Sequence, residues 1–318
     1  MGFEEVKEEV KDLIQVLKER DNFLITGHEN YDSDSLASSI AMGFILQHFG
    51  KSFDIYLKEP LRKEHLWVPL QERFVKEIKK PYENFIFVDC TSYTRAGKEI
   101  GSIVKDKFKI LIDDHETNSY DGDKNFIFTQ AVATSEIIFY LLEELNLRTS
   151  EIANLVLLGI IDDIAYFMRE LDNQQWLRVF GLIMKLINWG ADFNFVSQKL
   201  TLKSFEDFKK INLTCLQIKN IDNIFYVFIE SNDLKANSLA RELLRIKEAK
   251  VIVIFIQESG GIRISLRSRG NIDVGYLAKE YFNGGGHKNA AGGFLEMDFE
   301  SARNFVLGKV KEYLNNVN

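Results

Sequence analysis

The stretch Gly27-His28-Glu29-Asn30-Tyr31-Asp32-Ser33-Asp34-Ser35 places the imidazole of His28 and the carboxylates of Asp32 and Asp34 within seven residues, directly after the apolar run Phe23-Leu24-Ile25. Oxygen donors with a little imidazole suit a divalent cation. A plainer reading also fits, in which Asp32 or Asp34 caps the next helix and His28 ends a strand. Two more apolar runs stop on ionisable residues: Phe85-Ile86-Phe87-Val88 on Asp89, and Phe108 to Ile112 on Asp113, Asp114 and His115. A buried parallel strand has no structural need for a carboxylate at its end, so three such strands point to one crevice. A fourth pair, Asp162-Asp163, lies in the apolar helical stretch Ile152 to Ile164. Adjacent helical residues do not share a face, so at least one of these acids turns inward.

The last third of the chain carries a different chemistry. Ile262 to Arg269 alternates strictly and puts Arg263, Ser265, Arg267 and Arg269 on one face of a strand. Such a face can be merely solvated. Close behind it comes Gly284-Gly285-Gly286-His287-Lys288-Asn289-Ala290-Ala291-Gly292-Gly293. Consecutive glycines can bring backbone N–H groups up to an anion, so the expectation is a phosphate cradle; the alternative is a flexible surface loop.

These residues need elements to hold them. Val6, Val10, Leu13, Ile14 and Leu17 mark an amphipathic helix before the first strand; Leu36, Ala37, Ile40, Ala41, Phe44 and Ile45 mark one face of the helix after it. Helices are also expected over Thr134 to Leu147, Asn173 to Trp189 and Phe299 to Tyr313, and strands over Ile224 to Ile229 and Val251 to Ile256. At 318 residues two domains are expected. The fold class is α/β: a parallel-sheet domain over 1–190, a helical linker over 191–212 and a smaller α/β domain over 213–318. The net charge of −7 argues against a track for duplex nucleic acid. Two distant cysteines, Cys90 and Cys215, suggest neither a disulfide framework nor a zinc site, and no apolar stretch suggests a signal peptide or membrane span. A cytoplasmic protein is expected. His48 and His65 join no motif.

Taken together, the chain resembles the DHH-DHHA1 phosphoesterase family over nearly its whole length. Within it, the resemblance is to short stand-alone members: oligoribonucleases that also act on phosphoadenosine phosphate, and phosphodiesterases of linear or cyclic diadenylates. His28-Glu-Asn-Tyr-Asp32-Ser-Asp34 looks like the first family motif, Asp89 like the second, Asp114-His115 like the third and Asp163 in Gly-Ile-Ile-Asp-Asp like the fourth. Ser265-Leu-Arg267-Ser and Gly284-Gly-Gly-His287-Lys-Asn-Ala-Ala-Gly look like the DHHA1 signature. The resemblance implies two Mn²⁺ ions, with Mg²⁺ as an alternative. His28 and Asp32 would hold one ion, Asp34 and Asp163 the other, and Asp89 would bridge them. It further implies hydrolysis of short nucleotides such as pApA or nanoRNA by two-metal hydroxide attack, with Asp89 and His115 catalytic. Ser265, Arg267, Arg269, Gly284, Gly285, Gly286 and His287 would grip the rest of the substrate.

Two positions depart from the family pattern. Asp114 stands where the family has the first His of Asp-His-His, a ligand of the second ion, while His115 keeps the substrate-facing place. Ala165 stands where the family often has Gly and is expected to be a packing change. The alternatives to a phosphodiesterase are a phosphoadenosine phosphate phosphatase and a nucleotide-binding protein whose catalysis Asp114 impairs. A homodimer is compatible with either class.

Overall fold

The computed structural model describes residues 3–230 and 236–317. The chain divides into two compact units, the first ending at Leu202 and the second beginning at Lys203. In the first, β1 (Phe23–Thr26), β2 (Phe53–Tyr56), β3 (Phe74–Val75), β4 (Asn84–Val88), β5 (Phe108–Asp113) and β6 (Lys124–Ile127) form one sheet in the order β3-β2-β1-β4-β5-β6. All its neighbouring strands run parallel. Side chains alternate between two buried faces, as a covered parallel sheet requires. Phe23, Ile25, Ile86, Val88, Ile110 and Ile112 enter the larger core, and Leu24, Phe85, Phe87 and Leu111 the smaller one.

The larger core is built on α1 (Phe3–Glu19) and α2 (Ser33–His48); the smaller takes Ile100 from α3 (Lys98–Ile103). Next come α4 (Thr134–Glu144), α5 (Ser150–Asp163), α6 (Asn173–Asn188) and α7 (Phe193–Thr201), whose Val196 joins the larger core. Helix α2 departs from its expected single apolar face. Ser33, Asp34, Ser35, Ser38 and Ser39 are buried as well as Leu36, Ala37, Ile40, Ala41 and Ile45, while Phe44 is only half-buried. The helix is enclosed by α4, α5 and the sheet, so its small hydroxyl residues mark close packing rather than a solvent side.

The second unit begins with α8 (Phe205–Cys215), whose Ile211 packs with Leu239 and Ile254. The stretch 191–212, expected as a linker, therefore holds all of α7 and most of α8, one packed into each unit. Then follow β7 (Lys219–Ile221), β8 (Ile224–Ile229), α9 (Ala236–Leu243), β9 (Val251–Glu258), β10 (Gly261–Ser268), α10 (Val274–Tyr281), β11 (Gly285–His287), β12 (Ala290–Leu295) and α11 (Phe299–Val317). The sheet order is β11-β12-β10-β9-β8-β7, with β8 and β9 parallel and the other neighbours antiparallel.

Candidate active site

Strand order in the first unit reverses between β1 and β4, because the chain steps outward to β2 and β3 and then returns. Such a reversal opens a crevice at the carboxyl ends of the two strands. The loop after β1 brings His28 and Asp32 to it, Asp89 follows β4, Asp113 ends β5, and Asp114 and His115 follow it. His28 Nε2 lies 3.7 Å from Asp32 Oδ2 and 3.6 Å from Asp89 Oδ2. The other oxygen of Asp89, Oδ1, lies 3.7 Å from His115 Nδ1. Asp89 thus belongs to two ligand groups, one with His28 and Asp32, the other with Asp113, Asp114 and His115; within each, the ligand atoms lie within 4.8 Å of one another. Its backbone is left-handed, with φ 51°, a conformation that Asp and Asn tolerate better than most residues.

Asp32 caps a helix and also faces the crevice. Oδ1 caps α2 by accepting from the N–H groups of Asp34 and Ser35, and Oδ2 faces His28. Asp34 is placed differently from expectation. Its Oδ2 accepts from Thr134 N–H at 2.8 Å and its Oδ1 from Ser135 N–H at 3.0 Å, so it anchors the amino end of α4 and joins neither group around Asp89. Asp114 is 2% exposed; Oδ1 accepts from the Thr134 hydroxyl at 2.9 Å, and Oδ2 is buried with no hydrogen-bond partner among the described residues. Asp163 comes within 4.8 Å of Asp114, carboxylate to carboxylate, and its Oδ2 lies 3.3 Å from Arg169 Nη1.

Thr134 and Arg169 escaped the sequence reading, which brought Asp113 to the crevice but gave it no role. Asp113 is fully buried; Oδ1 lies 2.8 Å from His115 Nδ1, and Oδ2 accepts from Asn118 Nδ2 at 2.7 Å, which fixes the imidazole. A carboxylate two residues before a histidine at a strand end was the available signal. Thr134 contributes its hydroxyl to Asp114 and its N–H to Asp34. Arg169 had no legible signal, because a left-handed turn brings it back to α5. Ala165, Tyr166 and Phe167 have φ of 49°, 58° and 66°. Ala165 is therefore a question of backbone conformation rather than packing: a methyl group sits where glycine would be unstrained.

The electrostatics are those of acids crowded out of water. Burial, then repulsion from Asp114 and Asp32, raises Asp34 to about 7. Burial and repulsion from Asp32 and Asp34 push Asp89 well above the carboxylate range, and burial with Asp114 nearby does the same to Asp163. Asp114 is raised by burial and by Asp113. Asp32 goes the other way, since the hydrogen bond and charge of His28 outweigh its burial. His115 rises to about 10, because Asp113, Asp114 and Asp89 overcome the burial that would lower it. Carboxylates packed this closely, one with an orphaned oxygen, suit hard divalent cations bound through oxygen, with His28 as the nitrogen donor.

In the second unit, register aligns Arg267 with Ala290 and Ala290 with His287, and likewise Ser265 with Gly292 and Gly292 with Gly285. Directly paired residues share a face, so Ser265, Arg267, Gly285 and His287 line one side of three adjacent strands. The glycine run is neither a nest nor a loop, as Gly285–His287 is the edge strand. A Cβ on Gly284 would stand 1.8 Å from Gly292 O and one on Gly286, at φ 142°, 2.4 Å from Ala290 O. Both glycines serve backbone packing against β12. Arg269 lies beyond the end of β10 and spends Nη1 on the carbonyls of Ile246 and Lys247, at 3.0 and 3.4 Å.

The α/β folds and the acid cluster are accompanied by matches to the models of the DHH family. Its N-terminal domain model matches residues 22–160 and the DHHA1 domain model residues 222–316. The bifunctional oligoribonuclease and PAP phosphatase NrnA of Thermus thermophilus is 26% identical over 302 residues, covering 91% of this chain and 89% of that protein. An exopolyphosphatase-related protein from Bacteroides fragilis superposes with a TM-score of 0.81 at 20% identity, covering 96% of both chains. RecJ from Thermus thermophilus, solved in complex with Mn²⁺, shares the fold at a TM-score of 0.51 and 14% identity, over 97% of this chain and 54% of RecJ. Among the described residues, no helix is long and apolar enough to cross a membrane.

Proposed function

We propose that the protein is a metal-dependent phosphodiesterase that hydrolyses short nucleotides, of which pApA is the simplest, to mononucleotides. The observation that carries this reading is the position of Asp89, whose two oxygens face different histidines and belong to two ligand groups. His28, Asp32 and Asp89 would hold one cation, and Asp89, Asp114 and Asp163 a second; Asp34 would reach an ion only by sharing an oxygen already bonded to α4. Divalent cations, when bound, supply Lewis-acid polarisation of the phosphoryl group and a more acidic water. Asp113 holds His115 through Nδ1, and the resulting imidazolium offers positive charge to the phosphate. Ser265, Arg267 and His287, with Gly285 leaving room between them, bind the remainder of the substrate and so orient the reacting phosphate. The domain limits proposed for these roles are 1–190, 191–212 and 213–318. Mn²⁺ or Mg²⁺, a cytoplasmic location and a homodimer complete the proposal.

Phosphoadenosine phosphate is the second substrate to test, because the Thermus relative's name includes PAP phosphatase and the match spans both chains. Asp114 supports catalysis rather than binding alone: it presents an unsatisfied buried oxygen, as a carboxylate ligand would. The test is product analysis with Mn²⁺ on pApA, cyclic diadenylate and phosphoadenosine phosphate. AMP from pApA is the expected result. Cleavage of pyrophosphate alone would overturn the nucleotide assignment, and binding of pApA without turnover would establish a binding protein.

A further inference from the structure

Arg169 is a cation beside the acid cluster to which no role has been assigned. Nη1 donates to Val132 O at 2.7 Å and lies 3.3 Å from Asp163 Oδ2, with the side chain 23% exposed. Val132 opens the short segment leading to Thr134, whose hydroxyl and N–H hold Asp114 and Asp34. The guanidinium therefore touches one acid of the Asp114–Asp163 pair and the backbone that carries the support for the other.

The turn that brings it there is costly. Three consecutive residues without glycine are left-handed, a conformation that residues with a Cβ adopt singly and at a penalty. Several contacts hold it. Tyr166 N–H reaches Ile161 O at 3.0 Å, Arg169 N–H reaches Ile164 O at 3.1 Å, and the Tyr166 hydroxyl donates to Leu200 O at 2.8 Å. Phe167 stacks on Trp176 and Phe180, with ring centroids 6.0 and 6.2 Å apart.

We infer that Arg169 is a built-in counter-charge for the carboxylate at position 114: held against Asp163 of the Asp114–Asp163 pair, it offsets the charge that Asp114 adds and so limits how tightly a divalent cation is held there. This rests on the cation reading given under Proposed function. An imidazole at 114 would bring no negative charge, whereas Asp114 brings a full one beside Asp163, with one oxygen unpaired. A fixed guanidinium opposes that charge and competes electrostatically with a cation. The same charge balance appears in the directions of titration, since Arg169 counters the upward push on both Asp114 and Asp163.

The test compares Mn²⁺ affinity by calorimetry, and melting of the metal-free protein, for wild type, Arg169→Gln and Arg169→Lys. Glutamine keeps an amide donor for Val132 O but removes the charge. The expected result is Mn²⁺ binding about five- to tenfold tighter in Arg169→Gln, with a lower metal-free melting temperature, and near wild-type behaviour in Arg169→Lys. In an Asp114→His background the same Arg169→Gln change should lower the metal-free melting temperature less, because the carboxylate it opposed is gone. If Arg169→Gln alone fails to fold, Asp114→His/Arg169→Gln against Asp114→His supplies the comparison, again with tighter Mn²⁺ binding expected. Unchanged or weaker Mn²⁺ binding on loss of the charge overturns the inference. Failure of wild type to bind Mn²⁺ overturns instead the cation reading beneath it.

Discussion

The two units use their sheets in opposite ways. In the first, the ends of buried parallel strands and the helices beside them gather acids at a crevice where burial and mutual repulsion raise their pKa values, so the arrangement favours protons or cations to share. In the second, a mixed sheet spreads Ser265, Arg267 and His287 across one face, and its Gly284 and Gly286 admit close backbone packing. The first region is built for strain in charge, the second for shape. Function in the one should therefore cost stability, and in the other it should not.

The sharpest way to break this contrast is Asp89→Asn. Asparagine tolerates the left-handed backbone, so the substitution tests charge and not conformation. Turnover should fall by about 10³-fold or more, while the metal-free protein melts at a higher temperature because one crowded acid is gone. A lower melting temperature would show that the acid cluster is not strained. In the second unit, Arg267→Ala should raise KM about tenfold with little change in kcat and no gain in stability. A matching loss in kcat would erase the division of roles between the regions.

A smaller effect separates the units through pH. The raised groups Asp34, at about 7, and His115, at about 10, bind more protons folded than unfolded. Asp34 charges at a penalty as pH rises from the ordinary carboxylate value to about 7. The stabilising charge on His115 is fully present below the ordinary imidazole value and is lost as pH rises through about 10. Both contributions lower metal-free stability with rising pH, so the melting temperature should fall between pH 5 and pH 8, by about a few degrees. Saturating Mn²⁺ should flatten that slope, and a slope unchanged by Mn²⁺ would uncouple the acids from any cation. The smallest effect is Ala165→Gly, which relieves a left-handed alanine and should stabilise by about 0.5–1 kcal/mol in chemical denaturation.

Much of the first unit was legible because its strands announce themselves. Phe85 to Val88 and Phe108 to Ile112 are apolar runs that end on acids, and a parallel sheet buried on both faces needs such runs. The marginal strands β3 and β6 were not, since Phe74–Val75 is two residues long and Lys124–Ile127 is half-exposed at the sheet edge. Ligand types were readable, but not what each oxygen would be doing. Asp34 carries the ligand's residue type, and only tertiary placement shows both of its oxygens bonded to the amino end of α4. Arg269 matched the strand's alternation, yet β10 ends at Ser268 and frees the guanidinium to reach the carbonyls after α9. Arg169 depends on a turn that no residue type signalled, because glycine is absent where the backbone is left-handed.

The most direct measurement is the number of Mn²⁺ ions bound per chain, read by calorimetric titration of metal-free wild type and Asp89→Asn, with AMP release from pApA followed in the same samples. Two ions in wild type, fewer in Asp89→Asn, and turnover that appears only as the second ion binds is the expected result. Turnover of pApA that persists without divalent ions, or two ions bound equally well by Asp89→Asn, would contradict a catalytic centre organised around Asp89.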